Sequence, residues 1–283
     1  MIYALVIFAV LLLVAAAFAA TVVSFKPPKP DKRELDGRKV TFSCGKKRLS
    51  GCVWNENGTR GLIVLAHGMG TSIAYHLPEV QHFVQEGYKV FAFAYSGYGE
   101  SDGRFYGFPQ AVSDLKCAVE YIDDGSLPLI LIGHSMGGYA VCTVPQCLTR
   151  PVSAVIAYAP FYADGAAIRE MTRGMPRYGW LLRTLIVPLQ LVLFRKGYGL
   201  NGVDGLRSAK APALILQGCN DVEVTCEGCS LYAHREELAG ASVEFRLIEQ
   251  ADSSEHMTVV RKRGTREINA DTMKLVDGFL EKL

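Results

Sequence analysis

The sequence predicts an α/β domain, with a mostly parallel central sheet flanked by helices and a helical insertion over one end. Three observations carry that expectation. Short apolar runs of strand length alternate with stretches whose apolar residues recur at helical spacing. One run, Pro128-Leu129-Ile130-Leu131-Ile132, leads directly into Gly133-His134-Ser135-Met136-Gly137. Finally, about 50 residues from Tyr162 to Lys210 interrupt the alternation, far more than a connecting loop needs.

Taken in order, the chain opens with Met1 to Val23, which holds no charged side chain. As a helix rising ~1.5 Å per residue this segment reaches about 34 Å, enough to cross a hydrocarbon core. Residues 1–24 are therefore expected to form a membrane anchor. A cleaved signal peptide, with Ala17-Phe18-Ala19 as its cleavage site, is the alternative, but its usual basic n-region is missing. Residues 25–38, which include Lys26-Pro27-Pro28-Lys29-Pro30-Asp31-Lys32-Arg33, read as a stiff, solvated linker.

The folded domain then occupies residues 39–283. Val40 to Cys44 and Arg48 to Trp54 suggest two antiparallel strands, with Asn57-Gly58 as a turn before the next one. Gly61 to Ala66, Tyr88 to Tyr95, Pro128 to Ile132, Val152 to Ala159, Pro212 to Gly218 and Ser242 to Ile248 are strand-length runs. A helix is expected around Gln110 to Asp123, where Ala111, Leu115, Ala118 and Ile122 share one face. A closing helix is expected from Arg266 to Leu280, on the stripe Ile268, Met273, Val276 and Leu280. Inside the insertion, Tyr178 to Lys196 is too apolar for a solvated loop, and Pro188 should split or kink it.

With 49% hydrophobic residues over 283 positions, one large domain has ample core. A net charge of +2 leaves no electrostatic footprint for nucleic acid. Cys226-Glu227-Gly228-Cys229 lacks a second ligand pair, so no metal and no cofactor are expected. No specific protein partner is predicted. The eight cysteines read as thiols rather than as a disulfide framework. Together with Lys26, Lys29, Lys32 and Arg33 on the anchor's flank, they assign the domain to the cytoplasm. Export is the opposing expectation, and would make Asn57-Gly58-Thr59 a glycosylation acceptor.

The chemistry centres on Ser135. A serine on a sharp strand-to-helix turn stands clear of the sheet, and Gly133 and Gly137 are the small neighbours such a turn requires. Serine nucleophiles need a base, an acid that orients the base, and N–H donors for the oxyanion. Asp221 follows a strand at its carboxyl end, where catalytic groups gather, and is the expected acid. Asp164 is the rival acid, after the preceding strand, and Asp252 is less favoured because it lies so close to the base. Of six histidines, only His256 follows the last strand, and it is the expected base. His67 and His134 read as structural, and His76, His82 and His234 as surface residues. The loop His67-Gly68-Met69-Gly70 follows a strand, and the backbone N–H groups of Met69 and Met136 are the expected oxyanion donors.

The set His67-Gly68-Met69-Gly70, Tyr95-Ser96-Gly97-Tyr98-Gly99-Glu100-Ser101-Asp102-Gly103 and Gly133-His134-Ser135-Met136-Gly137-Gly138 resembles the α/β-hydrolase superfamily. Within it, the likeness is to the monoacylglycerol lipase, lysophospholipase and serine-aminopeptidase-like group, and it covers roughly Lys39 to Leu283. Two places depart from that pattern. Ala251 to Glu255 precede His256 without the usual glycine, and Asp221-Val222 is followed by Glu223 instead of proline. The resemblance implies a serine hydrolase acting on carboxylic esters with apolar acyl groups, such as monoacylglycerols or lysophospholipids. Amide or peptide cleavage, and acyl transfer, are the alternatives on the same fold, and a non-enzymatic binding protein is disfavoured because all three catalytic candidates are present. It also implies that the insertion at about 162–210 is a cap, with Trp180, Leu185 and Leu189 as candidate acyl-binding residues.

Overall fold

The computed structural model describes every residue except 1, 30, 32, 176 and 250–254. Its frame is one eight-stranded sheet in the order β1-β2-β4-β3-β5-β6-β7-β8. The strands are β1 (Arg38–Cys44), β2 (Lys47–Trp54), β3 (Leu62–Ala66), β4 (Lys89–Phe93), β5 (Leu129–His134), β6 (Ala154–Tyr158), β7 (Ala213–Gly218) and β8 (Val243–Ile248). Pairing is antiparallel between β1 and β2 and between β2 and β4, and parallel across the sheet from β4 to β8. Strands β3, β5, β6 and β7 are buried along their whole length. Helices on both faces require that of a parallel sheet, which explains why these runs are apolar at nearly every position instead of alternating. Each buried Val, Leu or Ile contributes about 1.5–3 kcal/mol.

Helices α2 (Leu77–Gln85), α3 (Phe108–Ile122), α4 (Met136–Thr143) and α8 (Ala270–Leu280) cover the sheet. Strand order reverses between β3 and β5: after β3 the chain moves outward to β4, after β5 to β6 on the other side. Such a switch point opens a crevice at the carboxyl ends of the strands. The loop bearing Met69 and the turn bearing Ser135 both leave the sheet there.

Several expectations are corrected. Cys44 and Cys117 form a disulfide that joins the end of β1 to α3; the pairing spans 73 positions and leaves no local mark on the sequence. Cys52, Cys142, Cys147, Cys226 and Cys229 are free thiols. In the segment after the apolar helix α1 (Ile2–Ser24), Lys26, Lys29 and Glu34 are exposed, and two contacts tie it to the domain. Phe25 is 1% exposed and meets Phe108 edge-on at 5.1 Å, while Ser72 donates to Asp31 at 3.2 Å. The closing helix starts at Ala270, not Arg266, because the Asn269 side chain caps it by accepting from the amides of Asp271 and Thr272.

The insertion folds as α5 (Asp164–Arg173), α6 (Gly179–Phe194) and α7 (Gly202–Ala209). Pro188 lies inside α6 without splitting it. It sits on a partly exposed face, where its ring and missing N–H are tolerated at the edge of the packing. Among the described residues, α1 is the one helix long and apolar enough to cross a membrane.

Candidate active site

Ser135 occupies the turn between β5 and α4 at φ 55°, ψ −115°. A non-glycine residue held there is strained, and the turn is fixed from both sides. The Ser135 amide donates to the Tyr158 carbonyl at 2.8 Å, and the Ser135 carbonyl accepts from the Tyr139 amide at 2.8 Å. The flanking glycines are sterically obligatory. A Cβ on Gly137 would lie 1.9 Å from the Ala66 carbonyl oxygen, and one on Gly133 would lie 2.3 Å from that of Gly137.

His256 opens a short 3-10 turn after β8. Its Nδ1 donates to Asp221 Oδ2 at 2.6 Å. The second oxygen, Oδ1, accepts from the amides of Glu223 and Val224, each at 2.9 Å. Asp221 is therefore held by its own loop and holds the imidazole in turn. The other ring nitrogen, Nε2, is buried with no hydrogen-bond partner among the described residues. His134, next to Ser135 in the chain, packs on His256 with ring centroids 4.6 Å apart. Its Nε2–H donates to the His256 carbonyl at 3.4 Å. Burial, with His256 and His76 close by, pushes His134 well below the ordinary imidazole value, so it stays neutral.

The rival acid Asp164 is engaged elsewhere. Asp164 starts α5 and accepts from the amides of Gly165 and Gly199 at 2.7 and 3.0 Å. Asp252 lies outside the described residues. His67 is a packing residue: its Nδ1 bonds the Gly68 carbonyl at 2.8 Å, and burial takes its pKa down to about 3. His82 pairs with Asp277 at 2.8 Å, and His234 pairs with Glu237 at 2.6 Å. His76 is not a surface residue but a buried partner of Glu79 at 3.0 Å.

A cavity of about 340 Å³ opens at Ser135, and both Met69 and Met136 line it. The amide of Met136 begins α4, where unpaired N–H groups and the helix dipole favour negative charge. The remaining wall includes Phe108, Phe161 and Met171. Trp180, Leu185 and Leu189 do not line this cavity, and Trp180 is 60% exposed. The wall of this cavity comes instead from the start of α3, the loop after β6 and the end of α5. Sequence signals for these residues are weak, because apolar residues at helix ends look the same whether they face a core or a cavity. Glu170 also borders the cavity, but Arg173 pairs with it at 3.3 Å.

The sequence profile of the family described as "Serine aminopeptidase, S33" matches residues 57–238, well over half the chain. Ser135 and Asp221 fall inside that match and His256 beyond it. A monoacylglycerol lipase of Mycolicibacterium smegmatis is 31% identical over 114 residues, covering 38% of this chain and 41% of the lipase. The aligned part thus spans less than half of that relative. Among solved structures, an esterase from Pyrococcus furiosus superposes with a TM-score of 0.65 at 21% identity, over 90% of this chain and 96% of that one. Mouse alpha/beta hydrolase domain-containing protein 10 gives 0.60 at 17% identity, over 87% and 99%. An acylaminoacyl peptidase from Pyrococcus horikoshii gives 0.62 at 15% identity, over 89% of this chain and 42% of that one. At these identities the structural likeness speaks for the fold alone.

Proposed function

Because the chain belongs to the S33 serine aminopeptidase-like family of α/β-hydrolases, we propose that it is a membrane-anchored serine hydrolase. Its substrates are carboxylic esters with apolar acyl groups, of the monoacylglycerol or lysophospholipid kind. The observation that carries this reading is the Asp221–His256 hydrogen bond at 2.6 Å, at the same sheet edge as a strained Ser135 that opens onto an apolar cavity.

Ser135 Oγ attacks the ester carbonyl while His256 Nε2 takes its proton. Asp221 fixes the ring with Nδ1 protonated and stabilises the imidazolium that forms. The oxyanion is held by the amides of Met69 and Met136, an interaction that strengthens as charge develops. Collapse of the tetrahedral intermediate expels the alcohol, which receives the proton from His256. Water, deprotonated by the same histidine, then resolves the acyl-enzyme and frees the acid.

Ester cleavage is favoured over aminopeptidase action by the apolar side chains Phe108, Phe161 and Met171 on the cavity wall, where Glu223 is solvent-exposed. A free substrate amine calls for an unpaired buried carboxylate, whereas Glu170 is already paired with Arg173. The N-terminal helix α1 serves as the anchor. The decisive experiment is hydrolysis of a chain-length series of p-nitrophenyl esters and monoacylglycerols beside aminoacyl anilides. Faster turnover of the esters, rising with acyl length, is expected. Preference for the anilides would move the assignment to aminopeptidase.

A further inference from the structure

Helix α1 does not stand apart from the domain. It packs on α6, and Ala17 and Thr21 in its last two turns are buried. The two helices also share a neighbour. Phe18 of α1 meets the ring of Tyr106 at 5.7 Å, and Gln190 of α6, itself fully buried, donates to the Tyr106 carbonyl at 2.7 Å. The next residue past α1, Phe25, is inserted in the core. Yet residues 17–24 are also the last part of the apolar stretch, Leu5–Ser24, that is fit to cross a bilayer. The first charge after it is Lys26. With α1 as the anchor, whatever lies beside residues 17–24 would lie at the depth of the hydrocarbon edge.

Helix α6 is built for that position. It carries no acidic residue, and its sequence GWLLRTLIVPLQLVLF holds one charge, Arg183. Leu191 and Leu193 are exposed and Val192 is 70% exposed, on a helix that buries Ile186 and Gln190 against the domain. Exposed basic residues bracket it, with Arg177 before and Lys196 after. An apolar face between cationic ends suits an acyl layer under anionic headgroups. Helix α5, whose last turn borders the Ser135 cavity, immediately precedes it.

We infer that α1 and α6 form one membrane-embedded unit, in which the cap helix is immersed in the acyl layer beside the anchor and the cavity mouth faces the bilayer. The partner is a lipid bilayer containing anionic headgroups, and the substrate reaches Ser135 from the membrane rather than from water. This inference rests on the anchoring reading above, and its test separates the two.

The chain has two tryptophans, of which Trp54 is buried in the sheet and Trp180 is exposed. The full-length protein carrying Trp180→Phe is compared with the same protein carrying Val192→Trp in addition. Both are reconstituted in phosphatidylcholine–phosphatidylglycerol vesicles with and without acyl-chain bromine. The expected result is flotation of both proteins with the vesicles. Bromine should also remove about half of the emission that Val192→Trp adds. The parent, reporting Trp54, stays unquenched. Flotation without extra quenching overturns the immersion of α6 and leaves the anchor intact. Failure to float overturns both. Unimpaired fluorophosphonate labelling certifies that the variant is folded. Should Val192→Trp disturb the fold, bromine quenching of Trp180 in the unsubstituted protein gives the same two-way readout.

Discussion

Arg261 and Glu79 form an ion pair at 2.8 Å with both side chains 2% exposed, tying the segment just past His256 to helix α2. The guanidinium also lies 4.3 Å over the Tyr75 ring, and His76 bonds the other Glu79 oxygen. Arg261→Ala would leave a buried carboxylate without its guanidinium partner, which costs about 3–5 kcal/mol. Thermal unfolding should show this as a large drop in Tm. Because the pair pins the His256 segment, kcat should fall while KM for short esters changes little, and Arg261→Lys should recover part of the loss. An unchanged Tm would contradict the role given to the pair.

The same cluster gives stability a defined pH dependence. Burial alone would raise the Glu79 pKa; the charges and hydrogen bonds of His76 and Arg261 outweigh it and hold the group below the ordinary carboxylate range. A depressed folded-state pKa contributes stability that is present above the unfolded value and lost as pH falls through the folded one. Tm should therefore decline as pH drops below the ordinary glutamate range. The decline should be shallower in Glu79→Gln, which no longer titrates there. Equal slopes in the two proteins would assign the acid sensitivity to other carboxylates.

The two strand-end aspartates should separate by activity. Asp221→Asn removes the group that fixes the His256 ring and should lower kcat on the order of 10³–10⁴-fold. Asp164→Asn keeps one acceptor for the amides of Gly165 and Gly199, so kcat should hold and stability should fall by about 1 kcal/mol. The reverse ranking of kcat would move the acid to the end of β6.

Specificity should follow the cavity wall rather than the outer cap. Met171→Ala removes apolar surface beside Ser135 and should raise KM for long acyl esters by a factor worth about 1–3 kcal/mol, leaving acetyl esters alone. Trp180→Ala, outside the cavity, should not discriminate acyl length when the esters are soluble. Equal effects of Met171→Ala on both ester classes would remove it from the acyl site.

The strand pattern and the tight turn at Ser135 were legible in the sequence because both are written locally. Gly133 and Gly137 answer contacts around one tight turn, and the buried strands are continuous apolar runs. What was not legible depends on partners far away in the chain. Cys117 looks like any residue of a helix face until β1 brings Cys44 beside it. His76 carries no sign of burial until Arg261, 185 positions on, supplies the charge that makes burying Glu79 tolerable. The wall of the Ser135 cavity is hidden for a related reason. Trp180 and Leu189 are apolar, but α6 buries Ile186 and Gln190 and leaves Trp180 exposed, a choice of face that depends on distant packing partners.

The Cys44–Cys117 disulfide also bears on compartment, since such bonds persist in oxidising surroundings. It argues for the extracytoplasmic side, against the expectation drawn from thiols. On a non-reducing gel the natural protein should migrate faster than after reduction, and Cys44→Ser should abolish the difference and lower stability by about 2–4 kcal/mol. Labelling of an engineered cysteine at Lys29 in intact cells by an impermeant maleimide should succeed. Labelling only after lysis would return the domain to the cytoplasm.

The most direct test of the central claim is fluorophosphonate labelling and ester hydrolysis by Ser135→Ala. Its turn is held by backbone contacts that alanine preserves, so the variant should fold with an unchanged Tm. Labelling should vanish, and hydrolysis should fall to the small residual rate left by the oxyanion donors and binding. Undiminished labelling or turnover in a folded Ser135→Ala protein would contradict the assignment of Ser135 as the nucleophile, and the mechanism built on it.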